Sequence, residues 1–314
     1  MKLKKRFTLS LKNNLRFLPD RLYIKLYYYA KLGGFPNIDE PKTFNEKLQW
    51  MKLNYHDPRL VSLVDKFEAR SFVEKRVGAQ YLVPLIGIYD SVEEFLNADL
   101  PNEFVVKCTH DSQSTHVCTD KASFNFETTA HELRIALKRN WYWQGREWGY
   151  KDVRPRIIVE KYLRDQGRMT PNDYKFYCFD GVCGMVQCDV DRFEDHKQQY
   201  FSPDWESYGD WHVMQVPESE LLPKPDGFEE MLTLSQRLSE NIPHVRVDWY
   251  CIEGKPLFGE LTFYTGGGFD PFYDEEGKGF DLLDQILGDK FTLPLGGQAE
   301  SFLLSKGYEG DSVV

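Results

Sequence analysis

Arg246, Asp248, Glu260 and Thr262 are the residues of this chain whose types and spacing best suit chemistry. Side chains alternate along a strand, so Val245, Val247, Trp249 and Cys251 share one face and Arg246 and Asp248 the other. The returning segment sets Leu257, Gly259, Leu261 and Phe263 against Phe258, Glu260 and Thr262. If the loop is odd-numbered, Glu253 to Lys255, then Ile252 pairs with Pro256, Asp248 with Glu260 and Arg246 with Thr262. A two-residue Glu253-Gly254 turn would put the carboxylates out of register. Opposed carboxylates repel and want a cation between them. Aspartate and glutamate oxygens suit Mg²⁺, with substrate phosphates completing its shell. Arg246 beside that ion could stabilise charge developing in a transition state. The same spacing fits a solvated hairpin face with an Arg–Asp salt bridge, and spacing alone leaves both readings open.

The elements that must position these residues read as α+β. Residues 1–55 read as helical, and Thr43 with Glu46 has the spacing of a capping box opening a helix through Leu53. Leu60, Leu63, Val64, Phe67 and Ala69 mark an amphipathic helix stopping near Gly78. A strand-like run from Tyr81 to Ile88 follows, and Ser91 with Glu94 forms another capping-box pattern. Phe104–Cys108 reads as a strand ending in the polar loop 110–115, with His116–Cys118 returning. A helix over 127–140, an aromatic loop from Trp141 to Trp148 and a buried-type strand from Arg156 to Glu160 come next. Two hairpins, turning at Asp180-Gly181 and near Glu253-Gly254, flank a helix over 226–240. The first turn sets Cys178 opposite Cys183, where a disulfide is conceivable and two reduced thiols are the expectation.

With 314 residues, 41% hydrophobic and 15% aromatic, the chain can bury a large core, which excludes a disordered protein. Its net charge of −10 is uneven: nine Lys/Arg and only Asp20 among the first 31 residues give +8, leaving −18 for the remainder. The acidic body argues against general nucleic-acid binding. The basic, aromatic start could rest on anionic lipid, or form a soluble helix with a solvated basic face. No apolar run suits a membrane span and no signal peptide is apparent, so the expected location is cytoplasmic, with the inner face of the membrane as an option. Six scattered cysteines lack the CxxC pairs of a structural zinc site.

Residues along most of the chain carry a family resemblance. They include Lys42 to Trp50, Leu63 to Arg70, Phe104 to Lys107 with His110-Asp111-Ser112, Gly145 to Trp148, Pro155 to Glu160, Asp173 to Phe176, Val245 to Asp248 and Gly259 to Phe263. In this order they resemble an ATP-grasp enzyme, more closely the TupA-like ATP-grasp family, named for a teichuronopeptide biosynthesis protein. Members are often labelled polysaccharide biosynthesis proteins or glycosyltransferases. The resemblance implies an ATP-grasp fold with a nucleotide site between two α+β lobes. Its parts would be a basic helical segment (1–40), a helical region (41–100), a subdomain with phosphate loop and adenine hinge (101–165), a subdomain with the metal-binding hairpin (166–285) and a tail (286–314).

The resemblance also implies roles. Arg70 and Lys107 would lie near the nucleotide phosphates, with the loop bearing His110, Ser112 and Ser114 folding over them. Glu160, Lys161, Tyr162 and Leu163 would form the adenine hinge, and Lys175 is a further nucleotide-side candidate. Asp248 and Glu260 would be the magnesium carboxylates, joined by Thr262 where broader ATP-grasp enzymes carry Asn, and Arg246 the charge-stabilising arginine. The phosphate loop departs from many relatives in having no glycine. Asp189-Val190-Asp191-Arg192 offers Arg192 as a cation for a substrate carboxylate, or a surface salt bridge. The implied activity is an ATP- and Mg²⁺-dependent carboxylate–amine ligase acting through an acylphosphate, joining a uronic-acid carboxylate to an amino acid or amine in cell-surface polysaccharide biosynthesis. The alternatives are a glycosyltransferase using a nucleotide-sugar, whose metal motif Asp189-Val190-Asp191 resembles, and a non-catalytic scaffold.

Overall fold

A computed structural model describes residues 15–165, 170–190, 197–208, 221–270 and 281–294. Helix α1 (Asp20–Leu32) ends at Gly33, whose φ of 77° closes the last turn. α2 (Phe44–Asn54) opens on the expected capping box, with the Thr43 side chain accepting from the Glu46 N–H and the Glu46 carboxylate from the Thr43 N–H. The helix expected from 60 to 78 is two, α3 (Arg59–Val64) and α4 (Ala69–Arg76). Asp65 breaks it. Its carboxylate accepts from the Phe67 and Glu68 N–H groups at 2.7 and 3.0 Å, giving the backbone an alternative to helical bonds.

β1 (Leu85–Tyr89) is shorter than the apolar run suggested, because Ala79–Tyr81 forms a 3₁₀ turn. α5 (Val92–Leu96) keeps half of its expected capping box: Ser91 accepts from the Glu94 N–H, but the Glu94 carboxylate takes the Asp90 N–H. Next come β2 (Phe104–Cys108), β3 (His116–Cys118), α6 (Phe126–Leu137), a short α7 (Tyr142–Gly145) within the aromatic segment read as loop, and β4 (Ile157–Lys161). The strands form an antiparallel sheet, order β1-β4-β2-β3, with Phe95, Phe104, Val106, Leu133 and Val159 in its core.

β5 (Asp173–Phe179), β6 (Val182–Val190), β7 (Lys197–Phe201), α8 (Phe228–Ser239), β8 (Val245–Ile252), β9 (Lys255–Thr262) and α9 (Asp281–Lys290) complete the described elements. The second sheet is antiparallel, order β7-β6-β5-β8-β9. One face packs on α8, where Trp249 Nε1 donates to Ser235 Oγ at 2.8 Å and Phe176 lies against Phe228. The other face is divided. At one end Tyr177 and Phe179 meet Phe44 of α2. At the other it carries Asp173, Lys175, Asp189, Asp248 and Glu260. Cys178 does sit opposite Cys183, and both are free buried thiols.

The β8–β9 hairpin reaches its register by a route the spacing argument did not include. Its turn is the two-residue Glu253-Gly254, both with positive φ (50° and 76°), so Ile252 pairs with Lys255 rather than Pro256. An uninterrupted ladder would then have separated the carboxylates. Gly259 is inserted as an extra residue between the Trp249–Phe258 and Asp248–Glu260 pairs, and this bulge restores the phase. Asp248 lies opposite Glu260, and Arg246 opposite Thr262. A side chain at 259 would crowd the bulge, since a Cβ there comes within 3.0 Å of the Asp248 carbonyl oxygen.

Candidate active site

A cleft of about 310 Å³ opens between the two sheets. Val105, Lys107 and Val117 from β2 and β3 form one wall, with Glu160, Lys161, Tyr162 and Leu163 at the end of β4. Asp173, Asp248, Tyr250, Gly259 and Glu260 form the facing floor. Ser112, Gln113 and Thr115 close one side.

On the floor, Arg246 donates from Nε and Nη2 to the two Asp248 oxygens, each at 2.7 Å, and from Nη2 to Thr262 Oγ1 at 3.2 Å. Its Nη2 also lies 3.7 Å from Glu260 Oε1. Burial opposes the guanidinium charge, but Asp248, Tyr177 and Glu260 outweigh it and raise the Arg246 pKa. Burial raises the Asp248 pKa, against the lowering effect of Arg246 and Lys175. Glu260 differs in being 34% exposed at its side chain, against 7% for Asp248. It therefore reaches into the cleft, where Lys66 Nζ stands 3.6 Å from its Oε2.

The phosphate-side candidates divide. Lys107 lines the cleft, with its Nζ 2.8 Å from Glu160 Oε2. Arg70 is one step behind: it pairs with Glu160 Oε1 at 2.9 Å and donates to the Val83 carbonyl, outside the cleft lining. Of the loop residues, Ser112 faces the cleft but His110 and Ser114 do not. The buried His110 ring has Nε2 at 3.2 and 3.1 Å from the Ala136 and Arg139 carbonyls, and burial lowers its pKa. Ser114 Oγ accepts from the Cys108 N–H and donates to Asp111 Oδ1, fastening the loop to its own base. A loop without glycine is thus shaped by Asp111, which also accepts from the Gln113 N–H. Lys175 is buried on β5 between Asp189 and Asp173, outside the cleft lining. Arg192 lies outside the described residues.

Two Mg²⁺-type carboxylates, opposite each other and opening on one cleft, fit an ion that takes one or two protein carboxylates and fills its shell from phosphates and water. Among the described residues no group of three or more acidic, histidine or cysteine side chains could hold a metal alone.

The profile of the TupA-like ATP-grasp family matches residues 46–292. The chain belongs to that family. No curated protein matches this TupA-like chain. Solved structures similar to it include the ATP-grasp ligase PsnB with a precursor variant, Mg and ADP (10% identity, TM-score 0.41), the match covering 84% of this chain and 66% of that one. D-alanine-D-alanine ligase from Helicobacter pylori follows at 12% identity and TM-score 0.38, covering 73% and 61%. L-amino acid ligase from Bacillus licheniformis stands at 12% and 0.40, covering 73% and 50%. The TupA-like chain thus spans less than two thirds of the length of each of these proteins.

Two features of the TupA-like chain escaped the sequence reading. Lys66 sits within a run read as one helix, and only the break at Asp65 turns it toward Asp111 and Glu260; its Nζ donates to the Asp111 carbonyl at 2.5 Å. An aspartate followed by two N–H groups it can cap was the available signal. The second is the loop after β9, Gly266-Gly267-Gly268, with φ of 56°, 65° and 62°, which lies outside the cleft lining. Gln49 Nε2 donates to its Gly268 carbonyl at 2.5 Å, Lys52 Nζ to Gly267, and Asn45 Nδ2 to Asp270 at 3.0 Å. Asn45, Gln49 and Lys52 recur at helical spacing, so the polar stripe of α2 is turned inward onto this loop.

Proposed function

We propose that this chain is an ATP- and Mg²⁺-dependent carboxylate–amine ligase. The observation that carries the reading is the Asp248–Glu260 pair, opposed across β8–β9 and facing a cleft whose other wall presents Lys107. In this reading Asp248 and Glu260 hold Mg²⁺, with Thr262 contributing through its hydroxyl. The ion would neutralise phosphate charge and orient the terminal phosphoryl group. Lys107 and Lys66 bring positive charge to the phosphates from the wall and floor, and Ser112, Gln113 and Thr115 cover them. Lys161, Tyr162 and Leu163 bound the adenine end, while Glu160 restrains Lys107 and Arg70.

A substrate carboxylate oxygen attacks the γ-phosphorus and ADP leaves, giving an acylphosphate. An amine then attacks the acyl carbon, the C–O bond to phosphate breaks, phosphate departs and the amine loses a proton. Arg246, held charged beside Asp248, would act from behind that carboxylate, outside the cleft lining, to compensate negative charge on the acylphosphate and the tetrahedral oxyanion. The family's setting favours a uronic-acid carboxylate and an amino acid or amine in cell-surface polysaccharide synthesis. The nucleotide-sugar reading is less well supported: Asp189 is buried, accepting from Lys175, Gln187 and Gln198 rather than opening to a solvent-borne metal.

The test offers purified protein Mg²⁺ with ATP or UDP-sugars, uronic acids and a panel of amines, following ADP, phosphate and UDP. ADP release that requires both carboxylate and amine is the expected result. UDP release would establish the transferase instead, and absence of nucleotide binding would establish the scaffold.

A further inference from the structure

Thr109 stands two residues beyond Lys107, at the foot of the 110–115 loop, and is wholly buried. All three of its polar groups are used. Its N–H donates to the Arg156 carbonyl at 2.9 Å, just before β4, and its carbonyl accepts from the Lys66 N–H at 3.0 Å. Its hydroxyl donates to Asp65 Oδ2 at 3.0 Å. The other Asp65 oxygen takes the Phe67 and Glu68 N–H groups, while Arg156 Nη2 stands 3.3 Å from Oδ2. One threonine thus joins the end of β2, the approach to β4 and the corner between α3 and α4.

Lys66 is bound to the same short stretch at both ends. Its N–H goes to the Thr109 carbonyl and its Nζ to the Asp111 carbonyl at 2.5 Å, so the side chain runs along residues 109–111. Ordering a long lysine costs rotamer entropy, and a fixed base keeps that cost from growing. The bond from the Thr109 hydroxyl to the Asp65 carboxylate supplies the fixed base. It is charge-assisted, and β-branching limits the rotamers from which the hydroxyl can be aimed. Held this way, Lys66 Nζ stops 3.6 Å from Glu260 Oε2, short of a hydrogen bond, and keeps its place in the cleft lining. A lysine released from that hold would be free to close on Glu260 and compete with a cation for the carboxylate.

We infer that Thr109 is a positioning residue of the cleft, acting through Asp65 to hold Lys66 and the 110–115 loop as one unit against Glu260. It touches no ligand itself, since it lies outside the cleft lining. The inference rests on the reading of the cleft as an ATP site. A hydroxyl that merely satisfied a buried carboxylate would cost stability when removed, with no selective effect through Lys66.

Binding of ATP with Mg²⁺, followed by isothermal titration calorimetry on the full chain, tests it. Thr109→Val removes the hydroxyl while keeping the branched shape, and should weaken ATP binding about fivefold or more. Thr109→Ser keeps the hydroxyl and should bind as the wild type does. Lys66→Met should weaken binding by itself, and the double variant with Thr109→Val should bind no more weakly than Lys66→Met, because Thr109 acts through that lysine. Hydrogen exchange gives a readout free of nucleotide: residues 109–115 should exchange faster in Thr109→Val, with β5 and β6 unchanged. Wild-type affinity in Thr109→Val, serine as weak as valine, losses that multiply in the double variant, or faster exchange throughout the chain would each overturn the inference and leave the ATP reading in place. Absence of ATP binding by the wild-type chain would sink that reading, and the inference with it.

Discussion

The two hairpins of the five-stranded sheet use the same device and arrive at different ends. Each turns on two residues with positive φ, Asp180-Gly181 in one and Glu253-Gly254 in the other. Each returning strand then carries one extra glycine, Gly184 or Gly259. Beyond the bulge each hairpin sets two carboxylates directly opposite, Asp173 with Asp189 and Asp248 with Glu260, beside a basic residue. In the first, Lys175 sits between both carboxylates and all three side chains are no more than 8% exposed, so the charges are compensated internally. In the second, Arg246 is committed in bidentate fashion to Asp248, and Glu260, which lines the cleft, has Lys66 and Arg246 at 3.6 and 3.7 Å. The difference is that the cation closes on both carboxylates of the first pair and in bidentate fashion on only one of the second.

The sharpest way to break this comparison is to remove the closed cation. Lys175→Met leaves Asp173 and Asp189 opposed and buried, and chemical denaturation should show a loss of about 3–5 kcal/mol. A loss below 1 kcal/mol would mean the trio is not closed. Glu260→Gln acts on the open hairpin: ADP release should fall roughly a hundredfold or more, with little change in melting temperature. Near-normal turnover would remove Glu260 from the site. Asp248→Asn is a harsher probe because it weakens the pairing of a buried Arg246.

The junction between the hairpins carries a pH dependence. Burial lowers the His244 pKa to about 3, while its Nδ1 stays 3.0 Å from the Cys178 carbonyl. Between pH ~6.5 and that value the unfolded chain takes up a proton that the folded one refuses, so stability falls with falling pH by at most about 1.4 kcal/mol per unit. Asp284 works oppositely. Burial raises its pKa to about 6, so it costs stability as pH rises from ~3.8 through that value. Urea midpoints across this range should flatten on the acid side in His244→Gln; an unchanged slope would place the titration elsewhere.

The smallest effects come from the bulges. Gly259→Ala must push against the Asp248 backbone at 3.0 Å, costing about 1 kcal/mol and lowering turnover more than stability. Gly184→Ala meets the Phe179 ring at 2.9 Å and Lys290 Cδ at 2.8 Å, so it should lower stability by a similar ~1 kcal/mol and spare turnover. Equal profiles for the two variants would erase the distinction between the hairpins.

Local information was legible where one or two neighbouring residues decide the backbone. Thr43 and Glu46 announce the start of α2, Asp180-Gly181 announces a turn, and alternation places Arg246 and Asp248 on one face. The break at Asp65 was hidden because apolar periodicity runs through it while a single carboxylate overrules it. His110 and Ser114 sit beside the expected phosphate loop in sequence, yet carbonyls at the end of α6 and the Asp111 carboxylate claim their side chains.

By itself, then, the sequence determined which residues could do chemistry and on which strand face each would stand, because alternation is a property of the local backbone. Only the tertiary structure decided that Asp248 and Glu260 are opposed. That depends on a two-residue turn and a compensating bulge at Gly259, whose two register shifts cancel. It also decided that Lys66 joins them and Lys175 does not, since long flexible cations go to whichever buried carboxylate the packing brings within reach.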